Sequence, residues 1–200
     1  RLWVAENRDY ETRKTGFSAD GNSRILILED EDGDGKMDTR KVFMEGIPFP
    51  AAIAWGFDGL WLGAPPNLLF VPDRNGDDKA DVDDIEVRLT GWGIRDRHET
   101  LNSFIWGPDG WLYGAQGSTV TAMVRKPGSK EKPIRTMGQQ IWRYHPELEK
   151  FEVFAEGGGN SWGCEIDEKG EVFSGHNGGD TRGFHYVQGG YYRKGFGKHG

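Results

Sequence analysis

The chain has 200 residues, including 31 glycines and 8 tryptophans, and its formal net charge is −7. The aromatic content excludes a disordered chain, and the acidic balance argues against nucleic-acid binding, which needs a basic surface. The longest purely aliphatic run, residues 25–28, is too short to span a membrane. The chain opens at Arg1 without a methionine, so we expect a fragment of a longer protein.

The first distinctive element is an acidic loop between two apolar segments. Its carboxylates stand at loop positions 1, 3, 5 and 9: Asp30, Asp32, Asp34 and Asp38. Gly35 holds position 6, where the chain must turn sharply, and Lys36 offers its backbone carbonyl at position 7. Oxygen donors in this order are typical of a calcium loop.

A second acidic loop follows 43 residues later. Its donors at the same positions are Asp73, Asn75, Asp77 and Asp81, with the Lys79 carbonyl at position 7. Asp78 replaces glycine at position 6, and a side chain disfavours the turn there, so we expect weaker calcium binding. A metal-free acidic turn is the alternative for both loops. With calcium in both, the formal charge would fall from −7 to −3.

An internal repeat organises the chain. Residues 56–63 recur as residues 107–114, with a looser copy at 167–175, and the aligned glycines are Gly59, Gly110 and Gly170. Each copy predicts a β-hairpin. We predict strands over 51–56, 60–63, 67–71 and 84–89 in one unit, and over 101–107, 111–115, 139–145 and 151–155 in the next.

Repeating units of four short antiparallel strands predict an all-β fold, a β-propeller of four-stranded blades. The prediction is an incomplete propeller whose parts are a partial blade at 1–49, a blade at 50–90, a blade at 101–156 with a basic insertion at 117–138, and a partial blade at 160–200. A β-sandwich is the alternative.

The link between the two full units, residues 91–102, carries the candidate chemistry. His98 is suited to act as a general base because the ordinary pKa of histidine is near neutral. Asp96 or Glu99 would orient it, and Arg97 or Arg95 would bind an anionic group. The alternative is a solvated, charged loop.

Polar residues at other strand ends predict a site at the same end of the propeller. Asn102 and Asn160 align as equivalent residues, and we expect them either to bind a polar ligand or a metal or to cap the ends of their strands. Gln116 follows a second strand at the same end. The insertion carries Arg125, Lys126, Lys130, Lys132 and Arg135 against Glu131, which predicts a basic lid beside this site or a solvated insertion.

The run from His98 to Gly114 resembles the propeller of the membrane-bound dehydrogenases of planctomycetes and verrucomicrobia. The likeness extends through residues 141–146, 151–157, 160–163 and 189–191, and the acidic loop at 30–38 also matches. Those proteins are exported, often end in a Cys-x-x-Cys-His haem domain, and are distantly similar to quinoprotein glucose and sorbosone dehydrogenases.

The resemblance implies oxidation of a sugar or alcohol with pyrroloquinoline quinone and calcium. His98 would be the general base, with Arg97, Asn102, Gln116 and Asn160 near the cofactor. Electrons would pass to haem c in a domain outside these residues, and the protein would be periplasmic, exported or membrane-associated. The related Arg-Asn-Pro-x-Gly segment has Gly159 in place of its arginine. A carbohydrate- or protein-binding propeller and a calcium-dependent lactonase, with Asn102 and Asn160 as metal ligands, are the alternatives.

Overall fold

A computed structural model describes residues 1–8, 21–96, 99–118, 120–176 and 182–194. Within these ranges the chain is almost entirely β-structure, with one short 3₁₀ turn at Val82–Asp84. The strands β1 to β17 are, in order, Leu2–Glu6, Ser23–Glu29, Thr39–Ile47, Ala52–Gly56, Gly59–Ala64, Asn67–Pro72, Glu86–Thr90, Asn102–Trp106, Leu112–Gln116, Ala122–Val124, Ile134–Thr136, Gln140–His145, Lys150–Gly158, Ser161–Ile166, Val172–His176, Gly183–Tyr186 and Tyr191–Lys194.

The strands form several antiparallel sheets, which confirms the predicted all-β class. The first sheet is β1-β2-β3, the second is β4-β5-β6-β7, and the fourth is β14-β15-β16. The third runs β8-β9-β12-β13, and β17 joins β13 in parallel. The eight strands predicted for the two full units all appear close to their expected bounds. The described strands do not close into one continuous sheet.

The first strands β4, β8 and β14 of neighbouring sheets lie beside one another, so the turns and connections of these sheets fall at two opposite ends of the fold. The turns at 57–58 and 107–111 lie together, since the rings of Phe57 and Trp106 are 5.1 Å apart. We call this the hairpin end. The opposite end, which carries the connections at 91–101 and 159–160, we call the linker end. Both acidic loops lie at the hairpin end, where the second lines a cavity together with Trp55 and Phe57.

Apolar side chains fill the spaces between neighbouring sheets. Trp61 and Leu89 of the second sheet pack with Leu112 and Trp142 of the third. Similar clusters join the first sheet to the second and the third to the fourth. Each fully buried side chain of this size contributes about 1.5–3 kcal/mol relative to exposure.

The aligned glycines of the repeat are not all equivalent. Phe57 and Asp58 form a two-residue turn, both at φ 57°, and Gly59 begins the next strand. Pro108 cannot adopt a positive φ, so the third sheet uses a longer turn that ends at Gly110, φ 79°. Gly170, at φ 83°, matches Gly110. The alignment of Gly59 with Gly110 was therefore wrong by one residue.

Candidate functional site at the linker end

The connection from the second to the third sheet is anchored by a buried tryptophan. Trp92 is 2% exposed and packs in the core between these sheets. The backbone amides of Gly91 and Trp92 both donate to the Pro66 carbonyl, at 2.9 and 3.2 Å. These contacts fix the start of the segment that carries the predicted catalytic residues.

Two buried carboxylates flank the predicted base. Asp96 is 5% exposed and Glu99 is 6% exposed, although both lie in a connecting segment. His98 and Arg97 lie outside the described residues, so their predicted roles remain predictions. Because isolated carboxylates are costly to bury, these two belong to a polar cluster rather than to a solvated loop.

Ser118 connects Glu99 to Asn160. The Ser118 hydroxyl lies 3.1 and 3.2 Å from the two Glu99 carboxylate oxygens, and the Ser118 amide donates to Asn160 Oδ1 at 3.2 Å. A Cβ at Gly117 would lie 2.1 Å from Asn160 Oδ1, so only glycine allows this approach. The linker, the insertion and the start of the fourth sheet therefore meet at Ser118.

Asn102 is buried at the start of β8 with an acceptor still available. Its Nδ2 donates to the Thr100 carbonyl at 2.9 Å, while its Oδ1 has no partner among the described residues. Gln140 Oε1 is also buried and also has no hydrogen-bond partner among the described residues. Buried acceptors without partners are costly, so they mark places where a hydroxyl or a water would bind.

Gln116 has protein partners on both of its side-chain groups. Its Nε2 donates to the Val120 carbonyl at 2.5 Å, and its Oε1 accepts from Thr136 Oγ1 and Gln140 Nε2 at 3.1 and 3.2 Å. This side chain holds the base of the insertion. Its predicted contact with a cofactor remains a prediction.

Asn102 and Asn160 reach the linker end but are not equivalent residues. Asn102 pairs with Ala115, whereas the matching position in the fourth sheet, Trp162, pairs with Gly175. Both first strands carry the same bulge, with a positive φ at Ser103 and at Gly163, which shows that these two residues are the equivalent pair. The predicted equivalence was therefore wrong by two residues, although both amides lie at the expected end.

The insertion does not form the predicted basic lid. Thr90 of the edge strand β7 exchanges two backbone hydrogen bonds with Arg125, at 2.9 and 3.0 Å, which directs the hairpin β10-β11 along the outside of the sheets. Lys126 then reaches Glu149 in the turn after β12, at the hairpin end. Lys126 and Lys132 consequently line a groove beside that turn.

His176 and Tyr186 complete the linker end on the side of the fourth sheet. His176 is 8% exposed, pairs across the sheet with Ser161, and stacks on Phe184 at 5.1 Å. Burial raises the pKa of Tyr186 to about 12. Its hydroxyl therefore stays protonated and donates to the Gly157 carbonyl at 3.2 Å, which supports the segment before Asn160.

The acidic loops share one conformation. In the first, Asp30 accepts from the amides of Gly33 and Gly35, and Asp38 accepts from that of Glu31. The second repeats the main features, with Asp73 accepting from Asp77 and Asp78, and Asp81 from Arg74.

Carboxylate oxygens of Asp30, Asp32 and Asp38 lie within 4.8 Å of one another, close enough for one ion. Asp34 instead pairs with Lys36 Nζ at 2.8 Å. The calcium-binding roles predicted for Asn75, Asp77 and the Lys79 carbonyl remain predictions.

A half-open cavity of about 780 Å³ lies at the hairpin end, between the first two sheets. Trp3, Trp55, Phe57 and the second acidic loop line it. Concavity therefore does not by itself select the linker end. The linker end is selected as the candidate site by its buried carboxylates and amides.

Sequence reasoning missed Ser118 and Gln140. Neither belongs to a motif, and each is a single polar residue beside a strand end. Their importance depends on contacts across three connections, which no local pattern reveals.

The fold and the cluster define an all-β protein of packed antiparallel sheets with a buried polar site at one end. The chain belongs to the family described as "Domain of unknown function (DUF7133)", whose model matches residues 1–198. No curated protein matches it.

A solved structure shares the fold at low identity, and a second shows a weaker similarity. A Trichoderma reesei protein of carbohydrate-active enzyme family AA12 has a TM-score of 0.60 and 12% identity, over 96% of this chain and 57% of its own. A Thermus thermophilus protein described as an oxidoreductase (glucose dehydrogenase) has a TM-score of 0.48 and 19% identity, over 88% and 59%. This chain thus spans under two thirds of either protein.

Among the described residues, no helix has the length and apolar character needed to cross a membrane.

Proposed function

We propose that this chain is part of a β-propeller that binds a sugar or another polyhydroxy compound at its linker end and oxidises one hydroxyl. The propeller arrangement is supported by the first strands β4, β8 and β14, which lie beside one another. Trp106 Nε1 donates to the Trp55 carbonyl at 2.8 Å, and the Gly163 amide donates to Ser103 Oγ at 2.8 Å. The fold likeness to the carbohydrate-active protein supports the same arrangement.

The observation that carries the functional proposal is the pair of buried carboxylates on either side of residues 97–98. In the proposed reaction His98 accepts the proton of a substrate hydroxyl, and the attached carbon gives its hydride to a two-electron acceptor, which leaves a carbonyl. Asp96 and Glu99 orient the imidazole and stabilise its protonated form. Asn102 and Asn160 bind neighbouring hydroxyls.

Pyrroloquinoline quinone, which the family resemblance implies, is a polycarboxylate whose site needs cations. The described cluster consists of carboxylates, amides and hydroxyls, and Gly159 stands where related enzymes carry arginine. Arg95 is exposed. The described residues supply hydrogen-bond partners for a polyhydroxy compound, whereas Arg97, the cation predicted to bind the quinone, lies outside them, so no step is assigned to the quinone.

Calcium binding at the first acidic loop is part of the proposal, with a structural role at the hairpin end. The second loop is the weaker site. Export and transfer of electrons to a haem c domain outside these residues are further expectations of the family resemblance.

The proposal is tested by dye-linked oxidation of a panel of sugars and alcohols by the full-length protein, with calcium and with and without added quinone. His98→Ala should abolish dye reduction, while the matched control His145→Ala, at the hairpin end, should retain it. If saturable sugar binding persists without turnover under either condition, the protein is a carbohydrate-binding propeller. If the protein hydrolyses lactones and oxidises none of the sugars or alcohols, the lactonase alternative is favoured.

A further inference from the structure

The basic insertion forms one bank of a groove on the outside of the second and third sheets. The groove has a volume of about 410 Å³ and is half open to solvent. Its opposite bank is the turn between β12 and β13, which carries Leu148 and Lys150. Both sheets that form it are complete in the described chain, so its shape depends on residues that are present.

The floor of the groove is apolar. Leu89, Val124 and Phe151 form it, and they are 2%, 1% and 9% exposed. Two aliphatic side chains stand at the rim on opposite banks, Ile134 at 43% and Leu148 at 65% exposure. An aliphatic pair this exposed above an apolar floor provides a contact surface for an incoming apolar side chain.

The rim is basic, in contrast to the rest of the protein. Its cations are Arg125, Lys126, Lys132 and Lys150. The carboxylates that line it are Glu131 and Glu149; Glu149 is paired with Lys126 at 2.8 Å, and Lys150 is paired with Glu152, just outside the groove, at 2.6 Å. Four cations against these three carboxylates leave a charge of +1 in a chain whose formal charge is −7. Such a local reversal of sign attracts acidic ligands and sets their orientation.

The hairpin that carries these cations is held firmly against the sheet. Besides the two Thr90–Arg125 bonds, the Met123 amide donates to the Gly91 carbonyl at 2.8 Å. The basic bank is thus a fixed part of the fold. Preformed surfaces bind with a smaller entropic cost than segments that must first become ordered.

We infer that this groove is a docking site for an acidic segment of a partner protein, with one apolar side chain seated between carboxylates. The apolar floor accepts that side chain, and the cations on both banks pair with the flanking acids. This inference is independent of the proposed oxidation, because it depends on the outer surface and on none of the linker-end residues.

The test uses the full-length protein and a fluorescein-labelled peptide of sequence Glu-Glu-Leu-Glu-Glu, with binding followed by fluorescence anisotropy. Two control peptides replace the leucine by glycine, or all four glutamates by lysine. We expect saturable binding of the first peptide, weaker binding of the glycine peptide and none of the lysine peptide. Raising the salt concentration should weaken binding, since the rim charges are exposed.

Protein variants locate the site. Lys132→Glu and Leu148→Ser should each weaken binding about tenfold or more, a change of about 1.4 kcal/mol. Lys169→Glu, at an exposed lysine in the turn between β14 and β15, is the matched control and should leave it unchanged. Both groove residues are exposed, so the variants should fold, which circular dichroism checks.

The inference is overturned if the acidic peptide does not bind, if Lys169→Glu weakens binding as much as Lys132→Glu, or if the lysine peptide binds equally well. It is also overturned if heparin binds at the groove while the peptide does not, since the site would then serve an anionic polysaccharide.

Discussion

Asp78 belongs to the second acidic loop, yet its carboxylate contacts Lys41 Nζ of the first sheet at 2.5 Å. Arg1 adds a second contact at 2.7 Å, and the Ala80 amide donates to the Phe43 carbonyl at 2.8 Å. Asp78 also has a φ of 64°, where glycine would be favoured. The ion pairs across the two sheets give a physical reason for aspartate at this strained position.

The first prediction concerns the pH dependence of this contact. The hydrogen bond from Lys41 lowers the pKa of Asp78 from its ordinary value of 3.8. Its stabilising contribution is therefore fully present above that value and is lost as the pH falls through the lower pKa of the folded state. Asp78→Asn should reduce the free energy of unfolding by about 1 kcal/mol at pH 7.

The difference between wild type and Asp78→Asn should shrink as the pH falls below 3.8, as measured by urea denaturation at several pH values. Glu147→Gln, at an exposed carboxylate, is the control and should have little effect. An equal loss of stability at every pH would show that the charge of Asp78 is not what stabilises the contact.

The second prediction concerns Ser118. Ser118→Ala removes a hydroxyl that is hydrogen-bonded to the buried Glu99 carboxylate, so it should destabilise the protein by about 1–3 kcal/mol. Chemical denaturation measures this loss. Ser129→Ala, in the exposed part of the insertion, should cost much less. Equal effects would mean that Ser118 does not support the polar cluster.

The third prediction concerns the contact between the second and third sheets. Trp106→Phe keeps an aromatic ring but removes the Nε1–H that donates to the Trp55 carbonyl, which should cost about 1 kcal/mol. Trp162→Phe, at a side chain that is 56% exposed, is the control. Thermal unfolding compares them, and a larger effect at Trp162 would contradict the assigned role of Trp106.

Calcium provides the fourth prediction. Added calcium should raise the melting temperature, since a ligand bound only by the folded state stabilises it. Asp30→Asn should remove most of this increase and Asp73→Asn a smaller part. The controls are magnesium, which should act weakly, and Asp58→Asn outside both loops. No increase with calcium, or the reverse order of the two variants, would contradict the assignment of the first loop as the stronger site.

Much of the fold could be predicted because its signals are local. Alternating apolar residues and turn sequences place the strands, and the repeat places the sheets. The turn lengths were harder to predict, because Pro108 changes the geometry of an otherwise similar motif. The Asn-Ser pairs at 102–103 and 160–161 look alike in sequence but lie two residues out of register, because the bulges that align these strands are at Ser103 and Gly163.

The candidate site was predicted only in part, because it depends on long-range contacts. Asp96, Glu99, Asn102 and Asn160 lie at the expected end. Ser118 carries no sequence signal, since its role comes from the approach of three separate connections. The course of the insertion was mispredicted because it is decided by the free edge of β7, which composition does not reveal.

The most direct test of the proposed site is hydrogen exchange of the full-length protein with and without an oxidisable sugar. We predict protection in segments 91–102, 117–120 and 157–163 when the sugar binds. Protection around the hairpin-end cavity lined by Trp55 and Phe57, with none at the linker end, would contradict the proposed site.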